Sequence, residues 1–378
     1  KGHTGLWLIY ANIMNKKYVN RNYLTTTRII ALGFLITVIV GTILLSLPIA
    51  SANGTWTDLL TAAFTSTTSV CVTGLVVVDT FSYWSLFGKG VILILIQIGG
   101  LGIVSIITLF MLLFRMKITL KSTMLLQDAF NLNSKQGLLK FTIKVIKGTF
   151  LIEGIGAFIY SFYYCREYGL LKGIWFSVFH AVSAFCNAGL DIMGADSLIP
   201  YHSNLLMMLN TSFLIIMGGI GFIVWWDTVE AFRRIRTKKC SIRSAWNGVH
   251  LQTKIAIFMT LLLLIGGTVV IYFLERSNPD TLGNLSEKDR ILNAFFQSVT
   301  LRTAGFAAVP QAALRPVTAF FGALLMMIGG SPVGTAGGMK TVTIAVIFFT
   351  FAAMIRNQKE PEAQRIATAL EIYVHGSL

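Results

Sequence analysis

The chain has 378 residues, of which 54% are hydrophobic and 12% charged, with a mean hydropathy of +0.71; this excludes an ordinary soluble domain and indicates an integral membrane protein. Lysine and arginine outnumber acids 31 to 16, giving a net charge of +15. The bases fall between apolar runs instead of along one face, which argues against a nucleic-acid surface and fits the positive-inside rule.

The four cysteines, Cys71, Cys165, Cys186 and Cys240, stand in no CxxC or Cys/His spacing, so neither a disulfide framework nor a zinc site is expected. No Walker motif, nucleophile elbow or pair of cytoplasmic carboxylates at fixed spacing occurs, and the chain is not read as an enzyme.

In chain order, residues 1–28 hold Lys1, Lys16, Lys17, Arg21 and Arg28 without a short apolar core and cleavage site, so they read as a cytoplasmic N-terminal segment. Apolar runs at 29–49, 91–114, 205–226 and 255–273, and 320–328 with 342–354, are long enough, alone or as broken pieces, to cross about 30 Å of hydrocarbon. Basic clusters at 115–147 and 233–254 share the cytoplasmic side. Loops with Asp58 and Asp79, then Glu167, Asp191 and Asp196, then Glu275, Asp280, Glu287 and Asp289 lie outside.

Each outer excursion contains a moderately apolar stretch of about 10 to 14 residues, too short to span. The expected unit is therefore helix, re-entrant half-helix with an extended return, helix. The hydroxyl-rich stretch 65–75 is expected to be extended backbone, because β-branched residues before a glycine suit it and such backbone is tolerated in a bilayer only where protein or water covers it.

Three outer stretches align. A phenylalanine (Phe64, Phe179, Phe295) precedes a glycine (Gly74, Gly189, Gly305) by ten residues, and the glycines are 115 and 116 residues apart. The following helices carry Gly99-Gly100, Gly218-Gly219 and Gly329-Gly330 at matching positions, which marks an internal repeat. The fold class expected is an all-α membrane protein of repeated helix–pore loop–helix modules arranged pseudo-symmetrically around one ion pore. Repeats fall at 29–115, 140–236 and 250–354, with 355–378 a connector and the start of an incomplete fourth repeat; the period places a fourth glycine near position 421, past Leu378.

The half-helix directs its partial negative C-terminus at the pore centre, and glycine lets the return strand turn carbonyls inward to replace an ion's hydration shell. The candidate filter comprises Val70, Cys71, Val72, Thr73 and Gly74, then Cys186, Asn187, Ala188 and Gly189, then Arg302, Thr303, Ala304 and Gly305. K+ is expected at the filter only. In the third repeat, residues 329–338 hold five glycines and Pro332, so a continuous helix is not expected there.

The motifs Cys71-Val-Thr-Gly-Leu75, Cys186-Asn-Ala-Gly-Leu190 and Arg302-Thr-Ala-Gly-Phe306, followed by the glycine-rich run 329–340, resemble the Ktr/Trk/HKT superfamily of potassium transporters, most closely the KtrB-type membrane subunit. The resemblance covers about residues 27–360. It implies four non-identical modules around one ion path; only three filter glycines are present, and none is replaced by serine, which fits the potassium-preferring branch.

It further implies that Gly329, Gly330, Ser331, Pro332, Gly334, Thr335, Gly337, Gly338 and Lys340 belong to an intramembrane gate loop, with Ser331 and Thr335 lining a wet passage. K+ is the implied cargo, with Na+ a candidate coupling or activating ion and no cofactor held by the chain. The implied partners are a second copy of the chain, lipid, and a cytosolic nucleotide-binding ring of KtrA type; the implied setting is a bacterial plasma membrane, with multiple spans and a cytoplasmic N-terminus. The alternative reading is an alternating-access secondary cation transporter, disfavoured because the repeats are parallel. An accessory protein without conduction is a third reading.

Individual side chains are weighed as follows. His180 is read as a packing residue ahead of a proton relay, and Asn187 as a brace for the filter. Arg302 is expected to point away from the pore and pair with a carboxylate such as Glu287 or Asp289. Glu153 is expected to partner a hydroxyl or a base. Lys340 is either an electrostatic barrier or a snorkelling side chain. The basic residues 233–243 mark topology and offer contact to an acidic partner or lipid.

Overall fold

The computed structural model describes residues 26–102, 105, 106, 108, 138–194, 196–238 and 241–355. The N-terminal basic segment 1–25, the inner basic residues between 115 and 135, and the tail from 356 lie outside the described residues. The described residues are helical, with isolated bridges only at Ser51–Trp84 and Ile328–Met339.

Helix α1 (Thr26–Ser46) is followed by α2 (Leu59–Cys71), the short α3 (Thr80–Tyr83) and α4 (Leu86–Leu101). Then come α5 (Leu138–Tyr168), α6 (Leu170–Phe185), α7 (Leu205–Gly219) and α8 (Phe222–Lys238), the short α9 (Ile242–Asn247), and α10 (Leu251–Glu275), α11 (Glu287–Thr300), α12 (Pro316–Met327) and α13 (Thr341–Ile355). Helices α1, α5 and α10 are each long and apolar enough to cross a membrane. Their outward faces are apolar, with Leu35, Ile36 and Ile43 exposed on α1, and Phe258, Ile265 and Phe273 on α10. Such faces are stable against lipid and costly against water.

Packing groups α1, α2 and α4, then α5, α6 and α7, then α10, α11 and α12 with α13. Neighbouring groups meet where α4 packs on α6 and where α7 packs on α11. In two groups a serine ties the short helix to the long one: Ser66 donates to the Val38 carbonyl at 2.8 Å, and Ser298 to that of Leu264 at 2.9 Å. In both cases a glycine makes the room, since a Cβ on Gly41 would lie 2.4 Å from Ser66 Oγ and one on Gly267 2.3 Å from Ser298 Oγ.

One expectation is corrected. Residues 65–71 are helical, not extended: α2 runs to Cys71, and its hydroxyls are absorbed within the helix, Ser69 donating to the Thr65 carbonyl at 2.6 Å and Thr67 to that of Ala63 at 2.7 Å. Of the forms open to the runs 91–114 and 205–226, alone or as broken pieces, both take the broken one among the described residues. Helix α4 stops at Gly102 (φ 78°), and α7 and α8 meet at a 98° bend at Gly221 (φ 94°). Helices α4 and α7 are thus interrupted just past their Gly-Gly pairs, whereas α12 ends at Met327, just before Gly329-Gly330.

Candidate functional site

Each short helix ends in the same way. Val72, Asn187 and Thr303 adopt left-handed angles (φ 55°, 58° and 65°), and two residues later Gly74, Gly189 and Gly305 do so again (φ 76°, 63° and 92°). A non-glycine residue in this region costs on the order of 1 kcal/mol or more and persists where its surroundings enforce it. In the first two turns the enforcement is a helix-closing bond of the Schellman type, Thr73 N–H donating to the Thr68 carbonyl at 3.0 Å and Ala188 N–H to that of Ser183 at 2.8 Å; in the third, Ala304 N–H donates to the Thr300 carbonyl at 2.9 Å.

These turns converge. A Cβ on Gly74 would lie 2.7 Å from the Ala188 carbonyl oxygen; one on Gly189 would lie 2.3 Å from that of Ala304 and 2.7 Å from Gly305 Cα. A Cβ on Gly305 would lie 3.2 Å from Gly189 Cα and 3.9 Å from Gly74 Cα. The three glycines and two alanine carbonyls therefore occupy one small region.

A hydroxyl braces each turn, which sequence reasoning missed. Leu75 N–H donates to Thr68 Oγ1 at 3.0 Å, Ser183 donates to the Leu190 carbonyl at 2.5 Å, and Thr300 donates to the Phe306 carbonyl at 2.7 Å. Thr68 and Ser183 stand at the same repeat position, six residues before their glycine, so alignment of the hydroxyls was the available signal.

The Gly-Gly pairs seat the ends of the short helices. A Cβ on Gly99 would fall 2.1 Å from the Val70 carbonyl oxygen and one on Gly218 would fall 1.8 Å from that of Phe185, equivalent positions four residues before Gly74 and Gly189. Gly100 gives similar room to Cys186 Sγ. Cys186 and Ala188 are fully buried, whereas Cys71 is exposed at the last position of α2.

Asn187 is buried, and its amide, oriented with nitrogen toward them, donates to the Ile215 and Ala184 carbonyls at 3.2 Å each. His180 is packed among Tyr160, Tyr164 and Phe179, with Nδ1 2.9 Å from the Phe176 carbonyl. Glu153 is buried, but its partners are the Gln97 amide (3.1 Å) and the Cys186 thiol (3.9 Å), neither a hydroxyl nor a base.

Arg302 departs most from expectation. It is 6% exposed and makes no ion pair among the described residues; its Nη2 donates to the Gly329 carbonyl at 3.3 Å. The expected carboxylates are engaged elsewhere, Glu287 with Arg290 and Tyr272, and Asp289 with Ser286.

The glycine-rich loop folds as a neck and a tip. At the neck Gly329 N–H donates to the Met339 carbonyl at 3.1 Å, Gly330 N–H to that of Gly337 at 3.3 Å, and Thr341 N–H to that of Gly330 at 3.1 Å. At the tip Ser331 N–H donates to the Gly219 carbonyl (2.8 Å), Thr335 N–H to that of Gly218 (3.0 Å), and Phe222 N–H to that of Val333 (2.9 Å). The break between α7 and α8 is thus where the tip docks. Thr335 Oγ1 donates to the Phe185 carbonyl at 2.9 Å, while Ser331 is fully buried with its hydroxyl 2.9 Å from that of Thr341. Pro332 is buried beside Gly221, Gly334 lies against the Gly218 and Gly219 carbonyls, Gly337 and Gly338 are exposed, and the Lys340 ammonium closes on the Ala336 carbonyl at 2.7 Å.

Comparison with known proteins accords with this geometry. The chain matches the TrkH family, described as "Cation transport protein", over residues 12–370. It is 39% identical over 351 residues to the potassium/sodium uptake protein NtpJ of Enterococcus hirae, covering 93% of this chain and 74% of the relative. It is 38% identical over 337 residues to the Ktr system potassium uptake protein B of Bacillus subtilis, covering 89% and 72%. Among solved structures, the crystal structure of the potassium transporter TrkH from Vibrio parahaemolyticus shares its fold, with a TM-score of 0.60 at 18% identity, over 86% of this chain and 62% of that one. A helical chain with three glycine turns of like backbone angles, matched to one family along nearly its whole length, belongs to the TrkH family of cation transport proteins.

Proposed function

We propose that the chain is the membrane subunit of a potassium-uptake system and passes K+ along a path formed where its three glycine turns meet. The observation that carries this reading is the convergence of Gly74, Gly189 and Gly305, all left-handed, with the Ala188 and Ala304 carbonyls packed against them. Three helix C-termini point their last residues into this region, and each contributes about half a negative charge, which attracts a cation. Carbonyl oxygens in such a setting replace the hydration shell of an alkali ion.

In this reading 70–74, 186–189 and 302–305 are filter segments of pseudo-symmetric modules spanning 29–115, 140–236 and 250–354, and the loop 329–340 obstructs the path. The uptake proteins NtpJ and Ktr B support K+ as cargo, and the NtpJ name supports Na+ as a second ion that couples to or activates transport. That relatives are named as parts of a Ktr system supports work with further subunits, here a second copy of this chain and a KtrA-like nucleotide-binding ring. The apolar spans and the charge pattern support a multi-pass location with a cytoplasmic N-terminus, and the bacterial relatives support a bacterial plasma membrane.

Reconstituting the full-length protein in liposomes tests the proposal. K+ should enter faster than Na+, and Gly74→Ser should weaken that preference. Wild-type selectivity in the glycine variant would remove the filter assignment.

A further inference from the structure

The three filter segments are not alike, and the differences fall where the loop touches them. At the position three residues before the glycine the chain carries Cys71, Cys186 and Arg302; at the next, Val72, Asn187 and Thr303. Only the third group continues into the glycine-rich loop. Its two divergent side chains are the ones that bind this loop: Arg302 Nη2 donates to the Gly329 carbonyl at 3.3 Å, and Thr303 Oγ1 accepts from Gly337 N–H at 3.1 Å. Both contacts fall on the neck, where a Cβ on Gly329 would lie only 1.7 Å from the Gly337 carbonyl oxygen.

We infer that Arg302 and Thr303 are positioning residues that clamp the neck of the loop to the third filter segment, coupling the position of the loop to the conformation of that filter. Arg302 is 6% exposed, its Nε has no partner among the described residues, and its charge meets no carboxylate among them, so packing alone does not account for an arginine there. A guanidinium fits the purpose because it spans from the filter to a backbone carbonyl that no neutral side chain of that length would bind as strongly. The two side chains leave one filter segment in adjacent positions and reach the two strands of the neck, so the neck cannot part from the filter without losing both bonds.

Thr303 is the cleaner probe. Its left-handed conformation tolerates valine, since Val72 occupies the equivalent position at φ 55°. Thr303→Val therefore removes the hydroxyl without demanding a new backbone, and Thr303→Ser restores it.

The inference rests on the reading of the loop as an obstruction only for its effect on flux, and two readouts separate them. In the full-length chain in lipid nanodiscs, amide hydrogen exchange of 329–341 should accelerate about five-fold in Thr303→Val, the loss of one net hydrogen bond, and more in Arg302→Gln, with wild-type protection in Thr303→Ser. Protection of 329–341 that is unchanged in both Thr303→Val and Arg302→Gln would overturn the clamp, whatever happens to transport. In liposomes the same variants should raise K+ flux severalfold. Lost protection with unchanged flux would keep the clamp and sink the obstruction reading.

Discussion

Gly189 offers the sharpest test of the converging turns, through Gly189→Ala. Alanine at φ 63° costs about 1 kcal/mol in backbone conformation alone. The new methyl would also lie 2.3 Å from the Ala304 carbonyl oxygen and 2.7 Å from Gly305 Cα, so backbone must retreat by about 1 Å to reach ordinary contact. The displaced atom is one of the carbonyls assigned to the ion. If withdrawing it forfeits about 1.5 kcal/mol, the low end for a hydrogen bond to a charged group, selectivity falls about tenfold. Liposome flux under K+ and Na+ competition, with a thermal melt on the same sample, measures both effects. Gly266→Ala is the control, because nothing lies within 4 Å of the added carbon and the residue is in mid-helix; it should leave selectivity untouched and stabilise α10 by up to about 1 kcal/mol. A Gly189→Ala protein with wild-type selectivity and melting would refute the argument that this turn is packed against its neighbour.

Three further outcomes are expected. Gly218→Ala, whose Cβ would fall 1.8 Å from the Phe185 carbonyl and 2.6 Å from Thr335 Oγ1, should destabilise by about 3 kcal/mol through overpacking, read as a lower melting temperature. Ser183→Ala should cost about 1 kcal/mol by freeing the Leu190 carbonyl, and should blunt K+ preference more than Asp58→Ala, which loses a helix cap at similar cost but far from the glycines; equal effects on selectivity would remove the special role of the brace. Deleting residues between Gly330 and Gly338 should raise K+ flux in liposomes, and loss of flux from a folded protein would count against an obstructing loop.

The repeat was legible because its landmarks are glycines. The backbone needs positive φ and close approach at 74, 189 and 305, and only glycine meets both demands at low cost. The helical character of 65–71 was hidden because threonine and serine are poor helix formers by propensity; in α2 their hydroxyls bond back to carbonyls one turn earlier, and packing settles the matter. The partner of Arg302 was hidden for a different reason. Sequence shows carboxylates but not which backbone carbonyls a fold leaves free, and Gly329 offers one only because its helix has already ended. Gln97 escaped notice likewise, an ordinary amide until α4 sets it against Glu153. The Gly-Gly pairs read as close-packing devices, which they are, but the carbonyls that α7 exposes at its break also receive the loop.

That docking of the tip constrains how the loop can leave. Its backbone groups have exchanged water for the carbonyls of Gly218 and Gly219 and the amide of Phe222, and wherever water does not replace those partners each abandoned group costs several kcal/mol. A dry departure is therefore forbidden on energetic grounds. On the proposed reading of the loop as an obstruction, displacement of the tip and hydration of the groups it leaves would be one event, so the barrier to opening would be as much the work of hydrating a cavity as of moving a peptide.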